Sequence, residues 1–82
     1  MEHKLDVSEL EPPEPMERIL EIIETLKDGD YLYVIHRREP HMIYPMLENM
    51  GIAWMTRAGG PKGYEVFIWR REDETAGAAI PA

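Results

Sequence analysis

Apolar residues recur along this 82-residue chain with two different spacings, and the points where the spacing changes divide it into elements. From Met16 the apolar positions fall at Ile19, Leu20, Ile23 and Leu26, with Glu17, Glu21 and Glu24 between them. That is an apolar face at the helical period, opposite a charged one. Pro13 or Pro15 suits the first turn of this helix, where a missing N–H costs little. Glu14 and Glu17 suit the positive end of its dipole. Lys27 suits the far end, and Asp28-Gly29-Asp30 supplies the stop. Residues 31–35 (YLYVI) are β-branched and aromatic between turn residues, which predicts a central strand. Upstream, residues 4–7, apolar at Leu5 and Val7, predict a short first strand, and residues 8–12 a proline-rich loop before the helix. Strand, helix and strand joined by such short connections require parallel strands in a right-handed crossover.

After the segment HRREP at 36–40, Ile43, Met46, Leu47 and Met50 give a second, shorter helical stripe that ends near Met50 and Gly51. Pro45 means that regular hydrogen bonding begins no earlier than about Met42, or else that the helix is kinked. Residues 52–57 and 64–70 predict two strands joined by the loose turn AGGPKG. The second alternates, with Tyr64, Val66 and Ile68 on one side and Glu65, Phe67 and Trp69 on the other. Residues 72–82 have little to pack and are expected to form a flexible, frayed tail. The chain thus reads as a single domain over residues 1–71 in the order β-α-β-α-β-β. The fold class is an α/β (α+β) two-layer sandwich, a four-stranded mixed sheet with two helices on one face. The other sheet face is expected to be open, with Trp54, Phe67 and Trp69 partly covering it. The six methionines fall mostly on helical stripes, which assigns them to the core rather than to a copper site.

Composition narrows the chemistry. There is no cysteine, which removes disulfides, thiolate metal ligands, thiol nucleophiles and persulfides together. With 44% hydrophobic and 30% charged residues, the chain has the balance of a soluble globular domain. No apolar run approaches the roughly 20 residues of a membrane span, and MEHKLDVSEL lacks a signal segment, so a cytoplasmic location with no membrane partner is expected. The net charge of -7 is uneven: residues 1–35 hold ten acids and three bases, residues 36–71 six bases and three acids. Overall acidity disfavours nucleic acid as a partner; the basic second half leaves a local RNA surface as a minor alternative.

The residues LDVSELEPPEP, an amphipathic helix after them, and then DGDYLYVI carry a pattern that resembles the TusA/SirA-like sulfur-carrier superfamily. In that family a strand ends in a Gly-Leu-x-Cys-Pro-x-Pro loop that opens the first helix. Leu10, Pro13, Glu14 and Pro15 match the loop, Leu5 and Asp6 the strand before it. The stretch REPHMIYPMLENMGIAW is similar to a cysteine-lacking, uncharacterised branch related to TusA, and the resemblance spans residues 4 to 70. It implies a four-stranded mixed sheet with both helices on one face. Pro12 stands where the sulfur carriers place their cysteine and Glu9 where they place glycine. Sulfur transfer needs a thiolate, so that activity is not carried over.

Parallel pairing of the first two strands brings the 8–15 loop beside the 36–41 loop, at the kind of carboxyl edge where open α/β sheets bind ligands. One loop offers Glu9, Glu11 and Glu14, the other His36, Arg37, Arg38 and His41. Three arrangements suit these residue types. The first is a set of exposed ion pairs worth about 0–1 kcal/mol each. The second is a partner or ligand-carboxylate site with Arg37 and Arg38 as forked donors. The third is a metal site from His36, His41 and a glutamate such as Glu11. Two histidines five apart across a loop are not a recognised ligand spacing, so no metal and no cofactor is assigned. A phosphate at the first helix N-terminus is disfavoured by the prolines, which lack N–H donors, and by Glu11, Glu14 and Glu17. No carboxylate pair is singled out for acid–base work, and Ser8 suits a turn or cap rather than a nucleophile. The expectation is a non-enzymatic binding module with a protein partner of unknown identity and candidate site residues Glu11, Pro12, Glu14, His36, Arg37, Arg38 and His41. A small-molecule or metal-binding protein using the 36–41 loop is the alternative.

Overall fold

Strand β2 (Tyr31–His36) has solvent-excluded side chains on both of its faces, and the other elements are arranged around it. The computed structural model describes residues 1–81. Strand β1 (Glu2–Asp6) pairs with β2 in parallel, from Glu2 opposite Tyr31 to Asp6 opposite Ile35. Helix α1 (Glu14–Ile23) crosses between them. A 3₁₀ turn (His41–Ile43) runs into helix α2 (Tyr44–Asn49), followed by strands β3 (Ile52–Gly60) and β4 (Gly63–Arg70) and helix α3 (Glu74–Ala79). The sheet order is β1-β2-β4-β3, with β4 antiparallel to both neighbours. The fold is a small α+β arrangement of a four-stranded mixed sheet and three helices.

One sheet face carries Leu32 and Val34 of β2 and Val66 and Ile68 of β4. Ile19 and Ile23 of α1, Ile43 and Leu47 pack on it. Pro13 is the N-cap of α1 and Pro15 sits in its first turn, with Glu14 and Glu17 beside them. The helix stops at Ile23, short of the predicted Lys27. Thr25 ends it by donating both its N–H (2.9 Å) and its hydroxyl (2.8 Å) to the Ile22 carbonyl. Leu26 still reaches the interior. Pro45 likewise takes the first turn of α2, so the chain enters that helix through a 3₁₀ turn and regular hydrogen bonding is delayed to Tyr44.

Two expectations about apolar residues are corrected here. Met42, Met46 and Met50 are exposed rather than core, because α2 is only six residues long and Ile43 and Leu47 already fill the space above the sheet. Trp54 does not face the open side. It lies two residues from buried Ile52, hence on the same pleat face, and stacks on Tyr44 with ring centroids 5.0 Å apart.

The opposite face is not bare. Tyr33 stacks on Phe67 (5.0 Å), and the Arg57 guanidinium lies 5.1 Å from the centre of the Phe67 ring. The Tyr33 hydroxyl donates to Glu65, which also accepts from Arg57 at 3.1 Å. That carboxylate, with burial adding to it, pushes the Tyr33 hydroxyl up to about 12. Where the sequence predicts a frayed tail, residues 74–79 form α3 instead. Asp73 caps it by accepting from the Ala76 N–H (3.0 Å), and also accepts from the Gly29 N–H (2.8 Å) in the α1–β2 turn. Ala76 is fully buried, and a Cβ at Gly77 would come within 3.0 Å of the Trp69 indole nitrogen. Small residues thus let the helix backbone lie against the aromatic face, a contact that depends on distant residues and has no periodicity of its own.

Ala76→Asp puts an uncompensated carboxylate into that contact. The expected outcome is undocking of α3, read as a red shift of tryptophan emission as Trp69 becomes wet and as a lower denaturation midpoint. An unchanged spectrum and midpoint would show that α3 does not pack on the sheet.

Candidate functional site

The parallel pairing of β1 and β2 ends both strands at one sheet edge, and the two loops expected there do meet. The Arg37 guanidinium donates to Glu11 across them at 3.1 Å, with both side chains largely in water. This is the exposed ion pair anticipated from the charge pattern, and it contributes little to stability. Glu14 is not part of the bridge; it pairs along its own helix with Arg18 (3.7 Å). The start of β4 lies directly against the second loop. Gly63 has φ +131, and a Cβ there would sit 2.8 Å from the Arg37 carbonyl oxygen, so only glycine allows this approach. Lys62 beside it reaches Asp6 at 3.4 Å. Ser8 acts as a turn residue: its N–H and hydroxyl both donate to Asp6 (2.9 and 2.6 Å) and hold that carboxyl below its ordinary range.

Between the two loops lies a groove of about 400 Å³, mostly apolar. Pro12, Pro13, Pro15 and Met16 form one wall. His36, Pro40, His41 and Met42 form the other, with Ile19 and Ile43 also lining it and Arg38 and Glu39 at its margin. Pro12 and Pro13 are a shared ridge. On their other side a shallow depression of about 560 Å³ is lined by Glu11, Glu14, Glu17 and Glu21, with Arg18. The edge therefore has an apolar channel, bearing Arg38, two histidines and Glu39, on one side of the prolines and an acidic slope on the other.

The residues around the channel are held from within. The Tyr44 hydroxyl, whose ring stacks on Trp54, donates to Glu39 (3.0 Å) and shares a 2.6 Å hydrogen bond with Thr56. Glu39 in turn lies 3.4 Å from the His41 ring nitrogen, and His41 meets Tyr44 edge-on. His36 is half-buried and accepts at Nδ1 from the Arg38 N–H (3.2 Å), so its proton belongs on Nε2. Burial first, then Arg37 and Arg38, push its pKa below the ordinary 6.5. Among the described residues no three His, Asp or Glu side chains are grouped to hold a metal ion.

Of the predicted candidates, Pro12, His36, Arg38 and His41 line the channel, Glu11 and Arg37 bridge the loops, and Glu14 lies on the acidic slope. Sequence reasoning missed Met16, Pro40 and Met42 as walls and Tyr44 and Glu39 as supports. One signal was present: Met42 is apolar yet falls off the 43, 46, 47, 50 stripe.

A histidine with a depressed folded-state pKa favours the unfolded chain once protons become available. Its contribution to stability is present above pH 6.5 and is lost as pH falls through the folded value. The imidazole resonances of His36 are expected to titrate below 6.5, and Arg37→Ala or Arg38→Ala to raise that midpoint. A wild-type midpoint at or above 6.5 would contradict the burial and cation environment described.

No helix among the described residues is long and apolar enough to cross a membrane. Comparison with curated proteins and with solved structures gave no match. The family described as uncharacterized conserved protein (DUF2249) matches residues 4–70, a span that holds the end of β1, all of β2 to β4, both loops and the whole channel. The chain belongs to that family.

Proposed function

We propose that this protein is a non-catalytic, TusA-like binding module that holds a segment of a protein partner in the channel between its two edge loops. The observation that carries this is the channel wall at Met42, a residue 86% exposed beside a groove already lined by prolines, Met16 and Ile43. An exposed flexible thioether next to buried apolar neighbours is costly to leave wet, and adapts readily to a partner's surface. The ridge that Pro12 and Pro13 form has no side-chain nucleophile, and the chain has no thiol, so the edge geometry serves recognition and not sulfur transfer. A cytoplasmic setting fits the composition.

Met42→Asp tests the reading. The exposed position keeps the change in stability within about 0.5 kcal/mol. A charge replacing an anchor that buries on binding is expected to weaken partner affinity at least about tenfold. Quantitative affinity capture on immobilised wild-type and variant protein, with Lys27→Ala as a surface control, measures it. Equal retention by Met42→Asp, or no partner retained by the wild type, sinks the proposal.

A further inference from the structure

The charges of this chain are distributed so that one arginine is left over, and it stands at the channel. Arg18 pairs with Glu14 (3.7 Å), Arg37 with Glu11 (3.1 Å) and Arg57 with Glu65 (3.1 Å). Arg70 pairs with Asp28 (3.0 Å) and Arg71 with Glu48 (3.1 Å). Arg38, the remaining one of six arginines, has no carboxylate partner among the described residues, in a chain of net charge -7. It is also the arginine that lines the apolar channel. Lys4 and Lys27 have no ion-pair partner among the described residues either, but they lie on β1 and past the end of α1, away from the channel.

Resting on the binding reading above, we propose that the channel selects partner segments in which an apolar side chain stands next to a single carboxylate, received by Arg38 as a forked donor. Charge complementarity sets the number. His36 is neutral at pH 7, with its Nδ1 occupied by the Arg38 N–H, and adds no second cation. Across the proline ridge, Glu17 and Glu21, which have no ion-pair partner among the described residues, repel a segment carrying several acids. One carboxylate attached to an apolar body satisfies both conditions. The occupant is a chain segment rather than a compact molecule, because the apolar surface continues past the channel. Met42, Met46 and Met50, four residues apart, are all exposed and extend it by about 12 Å along the helix.

The test uses the whole chain with ¹³C-methyl methionine, in which Met16 and Met42 report on the channel walls. The probes are two amidated tetrapeptides, acetyl-Leu-Phe-Leu-Glu-amide and its Gln counterpart, alongside 4-phenylbutyrate and 4-phenylbutanol. The Glu peptide is expected to bind about fivefold tighter than the Gln peptide, in the range of a partly exposed charge-assisted contact. That advantage disappears in Arg38→Ala, is reduced in Arg38→Lys, which keeps the charge without the fork, and persists in Arg18→Ala. Equal affinities with the methyl shifts intact overturn carboxylate selection and leave the binding reading standing. If no probe moves the Met16 or Met42 methyls, the channel reading falls and this inference with it. Arg38-dependent binding of 4-phenylbutyrate with neither peptide bound overturns the chain-segment occupant in favour of a small acid. A wild-type dimer in sedimentation that Arg38→Ala dissociates overturns it in favour of a second copy of this chain.

Discussion

Burial of β2 on both faces is the constraint on which the rest of the molecule depends. Leu32 and Val34 are shielded by the helices, and Tyr31 and Ile35 are buried on the opposite side. A strand buried on both faces must also satisfy its backbone on both edges, and here β1 takes one and β4 the other. Because β1 runs parallel, the chain must cross over through α1 and return, and the two strand ends emerge together. The charged loops are neighbours for that reason alone. Their mutual ion pair is a consequence of the topology, too exposed to be its cause.

The edge so created differs from an ordinary loop cluster in how apolar and charged groups are sorted. The Pro12–Pro13 ridge separates a channel of carbon surface from a slope of glutamates. The wall opposite the ridge is held from within by Tyr44, which reaches Glu39 and Thr56 while its ring stacks on Trp54. Packing in the helix layer is thus coupled to the position of the residues that line the channel. The same tyrosine that fills space above β3 also fixes the carboxylate that meets His41. A preformed apolar concavity with a few fixed polar groups is the usual form of a binding site.

Much of this was legible in the residues. The α1 stripe, the YLYVI strand and the alternation of 64–70 each repeat a period long enough to identify the element, and the short connection across α1 implies parallel strands. The meeting of the 8–15 and 36–41 loops followed from that implication. Three features were not legible, the first because a local side-chain hydrogen bond overrides the apolar period and the other two because they are decided between distant segments. The α1 terminus depends on Thr25 capturing a carbonyl. The exposure of Met46 and Met50 depends on how much sheet lies beneath a short helix. Helix α3 rests on contacts of Asp73 with Gly29 and of Gly77 with Trp69, which span 44 residues in one case and join helix to sheet in the other.

The proline loop that first draws the eye in the sequence illustrates the division. By itself the sequence determined the order of elements, the absence of thiol chemistry and the acidic character of the chain's first half, because periodicity, composition and charge are properties of residues in order. Only the tertiary structure decided which apolar residues remain in water and which arginine remains unpaired. Those are differences between what a side chain offers and what its neighbours in space consume, and the neighbours of Arg38 and Met42 are assembled from both ends of a crossover.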